Sequence, residues 1–289
     1  AAATVAPSRS DSTFDERLLL PDRYGDRAAA GIRWYAGRLL RKRFFAVRAA
    51  PGTTELLSSL DGSNRPAIVC MSHSSWWDPL VGIHLWDRCF PSRRILGPMR
   101  RRELEQFAFF RRVGVFGIDP DLPASLEAMR RFVLPRLVSA TRDVLMLTPQ
   151  GALSDPRAEI VVRPGAAAIA AGLGADRPAV IAVAFEYAFW NDQRPEVFIE
   201  AAEATPREDG APPSTASWHR AIRDALRQAA SSLARRVIAR DPAGFERWSG
   251  GRTAVHPVFD LWLRATGRGG EIDDDGRSRE VSPAKDRSA

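Results

Sequence analysis

Short apolar runs alternate with amphipathic helical patterns from about residue 65 to residue 240. The apolar runs predict strands at 67–72, 94–97, 113–118, 144–148, 179–185 and 196–200. The intervening patterns predict helices at 54–60, 79–88, 101–110, 124–139, 164–171 and 217–240. This alternation predicts an α/β fold, with a layered, mixed and largely parallel sheet flanked by helices.

The stretch 27–48 predicts a longer helix that is both basic and aromatic. Trp34, Phe44 and Phe45 widen its apolar side, and Arg38 and Arg41 belong to a basic flank. Such a helix fits a membrane interface, with rings buried among lipids and guanidinium groups on lipid phosphates. The alternative is an ordinary packing helix with a solvated basic face.

These patterns predict four regions along the chain. A flexible lead-in covers 1–26, and an N-terminal amphipathic helical segment covers 27–60. The α/β domain covers 61–266 and includes a short apolar helix at 256–265, and a disordered tail covers 267–289. No apolar run approaches the roughly 20 residues of a transmembrane helix, and no secretory signal is evident.

Composition narrows the possible functions. The net charge of +7 comes almost wholly from arginine, since Lys42 and Lys285 are the only lysines. No aromatic-basic motif of a nucleic-acid-binding protein accompanies this charge beyond 33–45, so no nucleic-acid partner is expected. The two cysteines form no metal-ligand cluster and suit a reducing, cytosolic setting. We expect neither a metal nor a bound cofactor.

The candidate chemistry lies where the strand 67–72 ends. His73 follows that strand, and Asp78 comes five positions later, about one helical turn into the next element. A carboxylate bound to one imidazole nitrogen fixes the tautomer and leaves the other nitrogen as a general base. Because a histidine and an aspartate at this spacing also occur by chance, the alternative is a histidine that caps the helix at the edge of the core. No Ser or Cys stands in a nucleophile motif, so the base would act on a substrate hydroxyl.

Three further blocks follow in order. They are 101–104 (Arg-Arg-Glu-Leu) with 114–119 (Gly-Val-Phe-Gly-Ile-Asp), 147–151 (Leu-Thr-Pro-Gln-Gly), and 163–170, which begins Arg-Pro-Gly. In this order and spacing, over about residues 65–190, the chain resembles the glycerolipid acyltransferase family, which includes the bacterial 1-acylglycerol-3-phosphate acyltransferases.

The resemblance implies roles for individual residues. His73 corresponds to the family's general base and Asp78 to its orienting partner. The resemblance also implies substrate-binding roles for Arg102 and Glu103 in the second block, and for Gln150 and Gly151 in the third. It further implies an N-terminal helix docked on the membrane, which here is the helix at 27–48.

The chain departs from the family pattern where the acceptor phosphate is held. Gln150 replaces a glutamate, and Pro120 and Leu153 replace two arginines. A phosphate needs fixed, bidentate donors, so the change suggests an acceptor without a phosphate monoester. Arg157 or Arg163 is the alternative phosphate donor.

The function expected from the resemblance is a membrane-associated O-acyltransferase. It would move an acyl group from acyl-CoA or acyl carrier protein, as co-substrate, to a hydroxyl of a membrane lipid acceptor. That acceptor is lysophospholipid-like or a non-phosphate lipid such as a glycolipid or a carotenoid glycoside. The expected location is peripheral, at the cytoplasmic face of the membrane. The alternatives are a non-catalytic lipid-binding or interaction protein of the same fold and a thioesterase-like hydrolase.

Overall fold

A computed structural model describes residues 17–138, 142–174, 178–190, 192–206 and 212–250. These residues form a nine-stranded sheet with helices on both faces. The strands are β1 (Leu19–Leu20), β2 (Ala46–Ala49), β3 (Ala67–Met71), β4 (Arg94–Arg100), β5 (Val115–Ile118), β6 (Asp143–Leu147), β7 (Ala179–Ala188), β8 (Glu196–Glu203) and β9 (Glu246–Gly250). The helices are α1 (Asp26–Arg43), α2 (Thr53–Ser58), α3 (Asp78–Cys89), α4 (Arg101–Gln106), α5 (Pro123–Val138), α6 (Gly165–Gly172) and α7 (Thr215–Ala239), with 3₁₀ segments at Ala108–Val113 and Pro242–Gly244.

The strand order is β1-β5-β4-β6-β3-β7-β8-β2-β9. The central pairings from β5 to β7 are parallel, as is β2 with β8, whereas β1–β5, β7–β8 and β2–β9 are antiparallel. The predicted α/β class with a mixed, largely parallel sheet is therefore confirmed. The strands β4, β5, β6 and β3 all end at one edge of the sheet, which we call the carboxyl edge.

Strand β3 lies at the centre and is buried on both faces, as parallel strands between two helix layers usually are. Val69 and Met71 join the core beneath α1 and α3. Ile68 and Cys70 join the core beneath α5, α6 and α7. Because side chains alternate along a strand, a residue at position 73 continues toward the α1 and α3 side.

The two longest helices pack on opposite faces of the sheet. Helix α1 buries a stripe that includes Ile32 and Leu40, and its basic last turn complements the negative end of the helix dipole. Helix α7 begins at a Ser214 cap, whose hydroxyl accepts a hydrogen bond from the backbone N–H of Ser217.

The helix predicted over 27–48 is wrong in its last residues, because α1 ends at Arg43 and 46–49 form β2. Every residue of β2 is buried, since this strand lies between β8 and β9. Phe44 and Phe45, predicted at a membrane interface, are 2% and 4% exposed. Phe44 and Phe45 therefore belong to the protein core and are not part of a lipid-facing surface.

Other differences concern short elements. The helix predicted over 101–110 ends at Gln106, and a 3₁₀ segment follows it. Gly114 then turns into β5 with φ of 97°, where a Cβ would lie 2.0 Å from the Ile95 carbonyl oxygen. This close approach explains a glycine in the second block.

The predicted lead-in and tail extend beyond the described residues. Within the lead-in, Leu19 is fully buried in β1, which pairs with β5, so this part is packed into the sheet. Residues 1–16, the helix predicted at 256–265 and the tail at 267–289 lie outside the described part of the chain. Across that described part, helices with the length and apolarity of a membrane span are absent.

Candidate active site

The end of β3 positions His73. Beyond Met71, the backbone N–H of Ser72 donates to the Val183 carbonyl, and the Ser72 hydroxyl accepts from the Phe185 N–H. These two bonds extend the pairing with β7 by one residue. His73 therefore leaves the sheet from a fixed point, and its side chain is 24% exposed.

His73 and Asp78 are brought together as their spacing predicts. Nδ1 of His73 lies 2.9 Å from Oδ2 of Asp78, whose side chain is only 1% exposed. A carboxylate oxygen accepts, so Nδ1 carries the proton and Nε2 presents its lone pair. Within the described part of the chain, Nε2 has no hydrogen-bond partner.

Three other donors surround the Asp78 carboxylate. The backbone N–H groups of Ser74 and Ser75 lie 2.7 and 2.8 Å from Oδ2, and the Tyr187 hydroxyl lies 2.6 Å from Oδ1. Burial, together with the negative charge of Asp78, raises the pKa of Tyr187 well above its usual range. The phenol therefore remains a donor, and the carboxylate is held by three groups besides the imidazole.

The backbone of His73 is fixed from a second side by the loop that follows β6. The side-chain oxygen of Gln150 accepts from the His73 N–H at 2.9 Å. The Ser154 N–H donates to the His73 carbonyl at 2.8 Å. Gln150, predicted to bind substrate, therefore contacts the histidine backbone, and its predicted role in substrate binding stays a prediction. Ser154 and Tyr187 are residues around the pair that sequence reasoning missed.

No cysteine in the chain provides a ready nucleophile. Burial raises the pKa of both Cys70 and Cys89 to about 12, so each thiol stays protonated at neutral pH. Among the described residues, no group of three or more His, Cys, Asp or Glu side chains is arranged to hold a metal ion. The exposed Nε2 is the group in this site that can take a proton from a substrate.

Three backbone N–H groups near His73 that could stabilise an oxyanion have other partners. The N–H groups of Ser74 and Ser75, at the start of the turn after His73, bind Asp78, and the Gly151 N–H donates to the Thr148 carbonyl. The Trp76 N–H lacks a hydrogen-bond partner within the described ranges. It is therefore the backbone donor of this turn that remains for a substrate oxygen, and the Ser74 hydroxyl likewise has no partner among the described residues.

An aromatic cluster forms one wall beside the Asp78 carboxylate. Phe44 contacts Trp77 edge-on at 5.1 Å between ring centroids and lies 5.9 Å from the ring of Tyr187. Trp76 packs edge-on against Trp77 and is 74% exposed. Phe44 thus supports the site from within, while Trp76 borders its opening.

The remaining residues with predicted substrate-binding roles divide into two groups. Arg163 lies against Gly151, where a Cβ would come within 2.7 Å of the Arg163 Nε, and Gly151 has φ of 71°. Arg102 and Glu103 are exposed on α4, and Arg157 is exposed and paired with Asp155. Side-chain bonds to His73 are absent for these three among the described residues.

The basic end of α1 lies beside the carboxyl edge. Strand β2 begins at Ala46 and runs parallel to β8, which itself begins beside the end of β7. The last turn of α1 therefore ends next to the site, as the contacts of Phe44 also require. Arg38 and Arg41 are exposed, and Arg38 lies 5.8 Å from the ring of Trp34, which is 65% exposed.

No protein-family model and no curated protein sequence matches the chain. Among solved structures, the chain is similar to the 1-acyl-sn-glycerophosphate (LPA) acyltransferase PlsC from Thermotoga maritima. The match covers 71% of this chain and 79% of that chain, with 14% sequence identity and a TM-score of 0.48. A likeness at this level assigns no role to individual residues, so we infer function from the site itself.

Proposed function

We propose that this protein is an O-acyltransferase that transfers an acyl group from a thioester to a hydroxyl of a lipid acceptor. The observation that carries the proposal is the His73–Asp78 pair, in which Nδ1 is bound and Nε2 is open. The motif blocks that surround this pair in the sequence resemble those of glycerolipid acyltransferases. Acyl-CoA or acyl carrier protein is the proposed donor.

The reaction needs one proton to move twice. Nε2 of His73 takes the proton of the acceptor hydroxyl as that oxygen attacks the thioester carbonyl, and a C–O bond forms. The tetrahedral intermediate then breaks its C–S bond, and the imidazolium returns the proton to the departing thiolate. Asp78 stabilises the imidazolium between these steps, and a base of this kind typically accelerates a reaction about 10²–10⁴-fold.

Gln150 in place of the family's glutamate is compatible with this chemistry. Its side-chain oxygen accepts from the His73 N–H, and a carboxylate oxygen would accept from the same group. The substitution therefore removes a charge and keeps the contact. This argues against the non-catalytic alternative, because the altered block keeps its contact with the catalytic histidine.

We also propose that the protein acts as a peripheral protein at the cytoplasmic face of the membrane. Trp34, Arg38 and Arg41 are exposed on α1, whose basic last turn ends beside the carboxyl edge. Arginine side chains near an anionic lipid surface contribute about 1 kcal/mol each to binding, and an exposed tryptophan suits the headgroup region. A lipid acceptor would then meet His73 without leaving the bilayer surface.

Acyl transfer is tested directly with the purified full chain. The protein is incubated with acyl-CoA or acyl carrier protein and a lipid extract, and products are identified by mass spectrometry. We expect acylated lipid from the wild type, and a loss of at least a hundredfold in His73→Ala and Asp78→Asn. Asp87→Asn, an exposed aspartate on the same helix, is the matched control and retains activity.

The other outcomes separate the alternatives. Free fatty acid as the sole His73-dependent product would identify a hydrolase that uses water in place of the alcohol. If neither donor gives a His73-dependent product, the proposed enzymatic function is rejected, and a non-catalytic lipid-binding function is the remaining interpretation.

A further inference from the structure

Three charged side chains meet beside the proposed site. Arg100 ends β4, Asp121 follows β5, and Arg163 precedes α6. A terminal guanidinium nitrogen of Arg100 lies 3.0 Å from Oδ2 of Asp121, and one of Arg163 lies 3.3 Å from Oδ1. Each carboxylate oxygen thus binds a different arginine, so Asp121 occupies the position in which two guanidinium groups would hold an anion.

This cluster faces the same opening as His73. Arg163 packs against Gly151, the residue after Gln150, whose side chain holds the His73 backbone. In the sheet, β6 alone separates β4 from β3, and these parallel strands end at the same edge. An acceptor whose hydroxyl is at His73 therefore extends its head group toward the three charged residues.

We propose that Asp121 is a built-in anion of the acceptor subsite, so that the acceptor carries an uncharged, hydroxyl-bearing head group and no phosphate monoester. This proposal rests on the acyltransferase function proposed above. It makes Arg100, Asp121 and Arg163 determinants of specificity.

The charges explain the selectivity. Two arginines and one aspartate leave a net charge of +1, whereas a phosphate monoester brings about −1.5 to −2 at neutral pH. Such a phosphate must expel the Asp121 carboxylate or lie beside it, at the cost of like-charge repulsion. A sugar or glycerol hydroxyl instead donates to the carboxylate and accepts from a guanidinium N–H.

Asp121 remains an anion over the working pH range. Hydrogen bonds from Arg100 and then Arg163 hold the pKa of its carboxyl below the usual value. All three side chains keep a large exposed fraction, so their remaining donors and acceptors are open to a ligand.

The test measures anion binding without requiring activity. Glycerol 3-phosphate is titrated calorimetrically into the full chain at low ionic strength. We expect Asp121→Asn to bind it at least tenfold more tightly than the wild type, and Asp121→Asn/Arg163→Gln to lose that gain. Glu127→Gln is the matched control, because Glu127 is an exposed carboxylate held by Arg130 and Arg131 on α5.

Two results would overturn the proposal. One is wild-type binding of glycerol 3-phosphate as tight as that of Asp121→Asn, and the other is an equal gain in Glu127→Gln. In the acylation assay, Asp121→Asn should raise the rate on a lysophosphatidate-type acceptor relative to a neutral glycolipid at least tenfold, and an unchanged ratio would also overturn it. If no acyl transfer occurs, the acyltransferase function fails, and the calorimetric comparison still decides whether Asp121 blocks an anion site.

Discussion

The hydroxyl of Tyr187 donates a 2.6 Å hydrogen bond to Asp78, so the end of β7 holds the carboxylate that orients the histidine. The bond joins residues 109 positions apart and ties the catalytic pair to the sheet. Without it, Oδ1 of Asp78 would lose its hydrogen-bond donor in a buried position, and the carboxylate would be held through Oδ2 alone.

Tyr187→Phe should therefore lower kcat and leave KM nearly unchanged. A hydrogen bond to a charged group contributes about 1.5–3 kcal/mol, which corresponds to roughly a tenfold or larger decrease in rate. The measurement is steady-state acyl transfer with a saturating donor. Tyr35→Phe, which removes the hydroxyl of an exposed tyrosine on α1, is the control and should match the wild type. Equal rates in both variants would show that Tyr187 does not position Asp78.

Gln150 should be replaceable by glutamate but not by alanine. Alanine leaves the His73 N–H without its acceptor, which costs about 1–3 kcal/mol where water cannot enter, or a few degrees in Tm. Glutamate keeps an acceptor oxygen in place. Thermal unfolding followed by circular dichroism compares the variants, and we expect the Tm of Gln150→Glu to be nearer that of the wild type. The same Tm in both variants would mean that the bond does not stabilise the fold.

Charge reversal on α1 should weaken membrane binding. Arg38→Glu/Arg41→Glu removes two cations and adds two anions, and at about 1 kcal/mol per charge we expect at least a tenfold loss of partitioning. The measurement is sedimentation with vesicles that contain an anionic phospholipid. The control is Arg220→Glu/Arg235→Glu, which makes the same charge change on exposed positions of α7, on the opposite face of the sheet.

A companion variant distinguishes the surface from the core. Phe44→Ala should lower the free energy of unfolding by about 3–5 kcal/mol, because the ring is buried against Trp77. It should leave vesicle binding of the folded protein unchanged. In the sedimentation assay, equal binding of Arg38→Glu/Arg41→Glu and Arg220→Glu/Arg235→Glu would refute a role for α1 in membrane binding.

Stability should decrease at alkaline pH. Burial raises the pKa of the Cys70 and Cys89 thiols to about 12, compared with about 8.5 in an unfolded chain. Between these values the unfolded chain loses protons that the folded chain keeps, so the free energy of unfolding falls as pH rises. The chain has only two lysines and three tyrosines to titrate in the same range.

Urea denaturation at pH 7.5 and pH 10 measures this effect. The fall in unfolding free energy between the two pH values should be smaller in Cys70→Ala/Cys89→Ala than in the wild type, whatever the stability of the variant at pH 7.5. The same fall in both proteins would contradict the assignment to the thiols.

The parts of the fold that sequence predicted are those with a strong local pattern. The apolar runs at β3, β6 and β7 and the long amphipathic helix α7 were found with boundaries close to the observed ones. Strands β2 and β9 were missed, because each is completed by pairing between residues about 200 positions apart. Likewise, local periodicity did not reveal that Phe44 and Phe45 leave the helix for the core.

The candidate site divides along the same line. His73 and Asp78 were found because both residues lie in one turn, where spacing determines contact. Tyr187 and Ser154 were missed, because their contacts depend on how β7 and the loop after β6 meet β3. The signal available for Tyr187 was a polar aromatic residue two positions beyond the strand predicted at 179–185, and this position by itself indicates no partner.

The catalytic pair is held by residues that are distant along the chain, since Gln150 lies 77 positions from His73 and Tyr187 lies 109 positions from Asp78. These contacts exist only after β3, β6 and β7 have aligned, and contacts at such sequence separations are costly in chain entropy to close. The base is therefore correctly positioned only once β3, β6 and β7 have assembled. On heating, local unfolding at the end of β7 would inactivate the site while most of the sheet remained folded.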